Sequence, residues 1–549
     1  MKRAKKKIFI LAIVVVIVVG AVLILNRETI TSEQSSDDNN SITYINLNKD
    51  YDDIEDIYDL DYQNEINEQI SNLIDKSDYT LQNPLLIANP YGTNTTGIYM
   101  YFSSDEACKA SYTIEADGYS TFSKTLNNNS EDGYTNEHEY LLVGSIPGVK
   151  NFITVTLTNQ NDEVIDTLSW SYDAPELVGS EDNIQLDVTS GESTQALDDG
   201  LYTMLGNRTT EDNEEIDFIL IYDNDGTIRS EVPIISYRNC RLLFEDNTMY
   251  FSISASKIAA MNQTGQITAI YDTSNYNLHH DYIFGNDNNF LVLASKEDSS
   301  TEEDIIISID KASGEVRELI DLKELFKNYY SNLSNNSDIE PLDWIHINSI
   351  ELVGDDTIII SSRETSSIIK INNIYDEPEI DYIIGSKQFW QESNYDNLVL
   401  NQIGDFSINA GQHCVVYQED QSLPAGQYYL YFYNNNNTIC STRDYDYSSD
   451  NSYYNTGVGS DGETSYYDKY LIDENNRTFS LVERIPVTYS GYVSSVQELG
   501  DNVLIDSGGA FEASEYDSNN QLIQTVKGTG ATWWYRVFKY DYNDYWFQS

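Results

Sequence analysis

Three periodicities divide the chain. From Ile8 to Leu25 the positions are apolar or small and none is charged, and about 18 to 20 such residues span a hydrocarbon core as a helix. Within Tyr62 to Ser77, Ile66, Ile70, Leu73 and Ile74 recur at helical spacing, which predicts one short amphipathic helix. From Leu81 the period shortens to two. GIYMYFSS, ASYTIEA, EYLLVGS, NFITVTLTN and DTLSWSYD are alternating segments separated by polar turns, the pattern of a β-sandwich of about 100 residues. Strand and turn then continue from about Leu186 to Ser549.

This last stretch repeats itself. HHDYIFGNDNNFLVLASK (279–296) falls without a gap on HINSIELVGDDTIIISSR (346–363), placing His279 on His346 and Lys296 on Arg363. YVSSVQELGDNVLIDSGG (492–509) follows the same frame, with Gly500 on Gly354. Each copy is a strand, a polar turn and a second apolar strand, the unit of a propeller blade. KIAAMNQTGQI, IIKINNIYDEP and SEYDSNNQLI supply a second kind of strand-turn-strand device, expected to complete the blades. The length predicts six blades, with seven as the alternative. The expected class is therefore all-β: a transmembrane anchor and its basic flank (1–27), an acidic stalk ending in the short helix (28–78), a β-sandwich (79–178) and a β-propeller (186–549).

Charge fixes the expected topology. Lys2, Arg3, Lys5, Lys6 and Lys7 lie on one flank of the apolar run, so the positive-inside rule keeps that flank in the cytoplasm and sends the body outside the cell. A cleaved signal peptide is the competing reading, but no A-x-A site follows the run. With 90 Asp and Glu against 31 Lys and Arg, nucleic acid is excluded as a partner. Forty-four Tyr and only 9 Pro agree with strands rather than a helical bundle. Four Cys are too few for a disulfide-built fold and too scattered for a zinc signature, although an oxidising compartment would allow a Cys414–Cys440 bridge.

The chain has five His. Two of them, His279 and His346, share a repeat position, and His413 in GQHCVVY also precedes an apolar strand. Repeat-equivalent positions converge on one channel in a propeller, so three imidazoles and the Arg363 guanidinium would form a site for an anionic group. Isolated His residues at strand starts more often serve turns or cores. Three His also suit zinc, but a fixed Arg beside them disfavours a divalent ion, and no H-x-x-x-H or H-E-x-x-H pattern occurs. No metal or other cofactor is expected; there is no G-x-x-x-x-G-K-[ST] phosphate loop.

At these residues the sequence resembles the bacterial PAPS-independent aryl-sulfate sulfotransferases. The resemblance is carried by LHHDYIF (278–284), DWIHINSI (343–350), SSRETSSIIKI (361–371) and GQHCVVY (411–417), and, in the sandwich, by NPLLIANPYGTNTTGIYMYF (83–102). It implies a six-bladed propeller that moves a sulfuryl group from an aryl sulfate donor to a phenolic acceptor. It also implies that His413 is transiently sulfated, that His346 and Arg363 bind and polarise the sulfate with Asn348 beside them, and that His279 assists phenol protonation. His280 is the alternative to His279 if the frame slips by one, and Cys414 is a rival nucleophile beside His413. The rival class is a non-catalytic extracellular propeller, an adhesin or sensor that holds an anion.

Overall fold

The computed structural model describes residues 32–34, 43–47, 54–179, 184–206, 216–236, 239–286, 288–333, 340–453, 464–529 and 533–548. The apolar run 8–25 lies outside them. Among the described residues no helix is long and apolar enough to cross a membrane.

Alternation from Leu81 onward produces strands almost throughout. In the N-terminal domain, GIYMYFSS and ASYTIEA prove to be one strand, Ile98–Glu115. Its first half pairs with Leu85–Ala88 and Thr135–Leu142, its second with Lys150–Thr158 and Phe122–Thr125, and the register shifts between Ser103 and Cys108. A strand that bends at an irregularity serves two layers at once, which alternation alone does not reveal. The amphipathic helix is present as Leu60–Ile74, capped by the Asp59 side chain accepting from Tyr62 N, and it buries Tyr62, Gln63, Ile66 and Ile70. The expected stalk is shorter than its composition suggested. Thr43–Asn46 adds to the sandwich as a strand parallel to Leu85–Ala88, and Ile57 and Tyr58 are buried in a 3-10 turn. Backbone pairing at the open sheet edge and burial of Leu47 against Leu85 and Ile87 hold this segment.

Among the described residues the remainder forms six larger sheets in chain order, four of four strands and two of five, antiparallel except where Asn401–Ile403 runs parallel to Thr478–Thr488, with one small two-stranded sheet beside them. The repeat copies are strand pairs within three of them: Tyr276–Phe284 with Asn289–Lys296, Ile347–Val353 with Thr357–Ser362, and Ser495–Leu499 with Asn502–Ser507. Two splices join the ends of the chain. Arg536–Tyr540 pairs with Leu201–Leu205, and Gln185–Ser190 pairs with Leu522–Thr529. Pairing early strands with late ones covers edges that would otherwise stand open.

Contacts pass from each unit to the next and return to the start. Arg241 holds Asp281 (3.0 Å), Asp281 accepts from Ile350 N (3.3 Å), and Ser349 Oγ accepts from Val415 N (3.1 Å). Cys414 Sγ then donates to Val496 O (3.6 Å), Ser495 Oγ accepts from Val537 N (3.1 Å), and Arg536 Nη1 donates to Cys240 O (3.4 Å). The sandwich rests on the first two units, where Arg229 Nη2 donates to Ser120 O (2.8 Å) and Thr93 Oγ1 to Gly265 O (2.6 Å). The four cysteines are free. Cys414 faces the Val496 carbonyl from inside a strand, so the Cys414–Cys440 bridge that an oxidising compartment would allow is not formed.

Candidate functional site

Three short motifs far apart in sequence are tied together by buried hydrogen bonds. Gln412 donates through Nε2 to Ser361 Oγ (2.8 Å), Ser362 O (3.2 Å) and Ser367 O (3.0 Å), which locks G-Q-H onto S-S-R. Asn348 Nδ2 donates to Gln412 O (2.9 Å), which adds the D-W-x-H-x-N-S strand. Gly411 has φ +60°, and a Cβ there would come within 2.4 Å of Asn437 O, so the first position of G-Q-H accepts only glycine. Trp344 Nε1 donates to Asp304 Oδ2 (2.8 Å). That bond joins the segments that carry Asp343 and Glu303, whose short strands Leu342–Asp343 and Thr301–Glu302 also pair in parallel.

These elements surround a cavity of about 220 Å³ lined by His280, His346, Arg363, His413, Tyr535 and Trp533, with Cys240, Tyr492 and Val493 also on its wall. His346, Arg363 and His413 meet there as the sequence anticipated. His279 does not line it, and His280 takes its place. Both His280 (φ 56°) and His346 (φ 48°) adopt left-handed backbone, an uncommon conformation for such residues that marks them as the equivalent pair. The ungapped frame missed this because the two strands are irregular in different ways: the register shifts between Leu278 and Tyr282, spanning both His279 and His280, in one and between Ile347 and Ser349, just past His346, in the other, and the turns differ in length as well. Asn348 is also off the wall: it is fully buried and serves the backbone of Gln412.

The geometry assigns a distinct state to each group. His413 Nδ1 lies 2.8 Å from Asn435 Oδ1 and 3.1 Å from Gly411 O. Asn435 spends its amide on Ser490 O (2.8 Å) and Val493 O (3.1 Å), so its oxygen must face the imidazole and accept from Nδ1–H. Nε2 therefore keeps its lone pair. Burial, with the nearby His280, Arg363 and His346, holds His413 well below the usual imidazole range despite the Asn435 bond. It is a neutral base at physiological pH.

His346 is the opposite case. Burial opposes its charge, but Glu303 and Asp343 overcome that and raise it to about 9. Its Nδ1 lies 2.5 Å from Asp343 Oδ2 and 2.7 Å from Glu303 Oε2. Glu303 Oε2 also meets His280 Nε2 at 3.0 Å, and although burial pushes the Glu303 carboxyl up, the two imidazoles hold it well below the usual carboxylate range. Arg363 Nη2 reaches Asp343 Oδ2 at 3.3 Å. Buried and without a protein partner among the described residues are His346 Nε2 and Arg363 Nε. Leaving a buried polar group unpaired costs about 1–3 kcal/mol, a cost that an anionic ligand would relieve. Glu303 also gathers donor atoms within 4.8 Å in two trios, with His279 and His280 and with Asp343 and His346. In both, imidazole nitrogens are already spent on carboxylates.

Sequence reasoning passed over Glu303, Asn435, Tyr535, Trp533 and Cys240. Asn435 stands in a run of four Asn (434–437) and Glu303 in an acidic turn, and both read as solvated loop. Cys414, the rival to His413, is not on the cavity wall, and burial pushes its thiol up.

A pH profile checks these states. The rate of a reaction that draws on the His413 lone pair should be level between about pH 6 and 8, because His413 is already neutral there. It should fall as pH rises through about 9, where His346 loses its proton. A rate that climbs through the normal imidazole range would contradict the His413 assignment. The His346 ion pair also stabilises the fold, in full below the ordinary imidazole value and progressively less as pH rises through about 9.

Comparison with known proteins gives this geometry a family. Residues 187–545 match the arylsulfotransferase (ASST) family model, and residues 85–175 match the arylsulfotransferase Ig-like domain. No curated protein matches the chain. Among solved structures, a putative 6-phosphogluconolactonase from Bacteroides fragilis is 8% identical, covering 79% of this chain and 98% of its own, with a TM-score of 0.34. The WD40 domain of Toxoplasma gondii coronin is 5% identical, covering 62% and 76%, with a TM-score of 0.32. A functionally unknown protein from Desulfotomaculum acetoxidans is 8% identical, covering 70% and 95%, with a TM-score of 0.33. Likenesses at that level carry no argument. The family match does, because it spans most of the chain and encloses every residue of the cavity wall: the chain belongs to the arylsulfotransferase family, and is a PAPS-independent transferase that acts on aryl sulfates.

Proposed function

We propose that the chain moves a sulfuryl group from a phenolic sulfate ester to a second phenol by a ping-pong sequence, with His413 Nε2 as the temporary carrier. The observation that carries this reading is the Asn435 clamp: it fixes the proton on Nδ1 and leaves the Nε2 lone pair at a wall shared with two cationic side chains. In the first half-reaction Nε2 attacks sulfur, the N–S bond forms, and the S–O(aryl) bond breaks with its electron pair leaving on the phenolic oxygen. In the second half, an acceptor phenol gives up its proton, attacks sulfur and displaces neutral His413. An N-sulfonated imidazole is a good leaving group, so the same residue accepts and releases the group. Charge on the sulfuryl oxygens grows in a loose transition state, by analogy with phosphoryl transfer. His346 and Arg363 are the groups that would meet it.

The six sheet units are read as blades of a propeller around this site. The cycle of contacts through Asp281, Ser349, Val496 and Ser495 supports that, as do the two end-joining splices. Incubating the purified chain with an aryl sulfate and a different phenol tests the activity. Donor phenol should appear together with the new sulfate ester; release of free sulfate alone would mean hydrolysis instead.

The location belongs to the same proposal. The uncharged run 8–25 and its lysine flank would anchor the protein in the cell membrane with the body outside. Protease added to intact cells should then digest the body and leave a short membrane fragment. Full protection of the body would refute that orientation.

A further inference from the structure

We infer that the Tyr535 hydroxyl is the catalytic group that passes the proton between His280 and the phenolic oxygen, a step that rests on the sulfuryl-transfer reading above. His280 is engaged on both sides: Nε2 lies 3.0 Å from Glu303 Oε2, and Nδ1 lies 3.1 Å from the Tyr535 hydroxyl. An ionised carboxylate only accepts, so Nε2 keeps its proton in either charge state of the ring. Nδ1 is left as the atom that gains and loses one. The group it meets there is Tyr535, which lines the cavity. Direct transfer from His280 would first have to break that bond.

Tyr535 is held for the task. Its ring centroid lies 5.5 Å from that of His280, and the Arg536 guanidinium lies 5.1 Å from it. Arg536 is itself fixed by a two-point contact with Asp281 (2.9 and 3.1 Å). The hydroxyl's second partner, Asn348 O, is further away at 3.4 Å. Burial, offset only in part by Arg536, keeps the phenol protonated between turnovers.

The step balances without a co-reactant. As the S–O(aryl) bond breaks, the Tyr535 proton moves to the leaving oxygen and the Nδ1 proton of imidazolium His280 moves to Tyr535. His280 ends neutral, with Nε2–H still on Glu303. The acceptor phenol then sends its proton back along the same path as it attacks sulfur.

The test compares Tyr535→Phe with wild type in the full chain, using donor alone and two donors that differ in how much their phenolates need protonation. With phenyl sulfate the burst should slow on the order of tenfold to a hundredfold, the range of general acid catalysis. With 4-nitrophenyl sulfate, whose phenolate leaves more readily, the loss should be only a few-fold. Equal losses with the two donors, or none with either, overturn the relay. Wild type supplies a check that needs no variant: in mixtures of H2O and D2O the phenyl sulfate burst should depend on deuterium fraction along a curve, since two protons move together. A straight line overturns the relay as well. Failure of the underlying reading shows differently, as absence of an SO3 group on His413 in wild type given 4-nitrophenyl sulfate.

Discussion

His413→Ala should abolish both the burst of phenol from donor alone and steady turnover, a loss of at least a thousandfold on the scale of a deleted nucleophile. Wild type should release close to one phenol per enzyme before any acceptor is added, and a transient mass gain of one SO3 should localise to the peptide containing His413. The clamp makes this sharp. Asn435 fixes which nitrogen carries the proton, so Asn435→Ala should slow the burst while leaving its amplitude near one. Cys414→Ser should keep the burst, because Cys414 lies off the cavity wall with its thiol on Val496 O. If the Cys414 variant loses the burst and the His413 variant keeps it, the carrier is the thiol and the sulfo-histidine reading is wrong. Both variants should remain folded, since Cys414 is one small member of a large apolar cluster and the His413 imidazole belongs to none.

Arg363→Ala should lower the burst rate by about a hundredfold to a thousandfold, the effect of deleting one preorganised charge-stabilising donor. Its guanidinium pairs with Asp343 at 3.3 Å while Nε finds no partner among the described residues, so part of the planar fork remains for a ligand oxygen. Arg363→Lys keeps the charge and loses the fork; a tenfold or greater fall, about 1.4 kcal/mol of transition-state stabilisation, should remain. The amplitude of the burst separates this variant from the first. It should stay near one per enzyme, because the attachment point is intact and only the field around it is weakened. An unchanged rate in Arg363→Ala would remove this residue from the reacting centre.

Adjacent His residues exposed the limit of pattern reading. Repeat alignment placed His279 on His346, yet the left-handed backbone lies at His280 and His346, and His280 reaches the wall. A one-residue shift along a strand turns a side chain to the opposite face. Register irregularities that fall at different places in the two strands are enough to hide such a shift from an ungapped alignment. Asn348 shows the same limit in another form, since its place in the motif reflects an internal bond to Gln412 O.

Several things were decided by the sequence on its own. Alternation determined that the body is built of strands, because period two leaves one face of each segment to be buried and the other to water. Helical spacing of Ile66 and Ile70 determined the short helix, and the repeat and the motifs singled out His346, Arg363 and His413, which line one cavity. The tertiary structure alone decided which atoms meet. Glu303 and Asn435 look like solvated turn residues in the chain, and only packing that brings residue 303 to 346 and residue 435 to 413 makes one a shared carboxylate and the other a proton clamp. The physical reason is that charge state and tautomer depend on neighbours within a few ångströms, and those neighbours come from segments that the sequence keeps far apart.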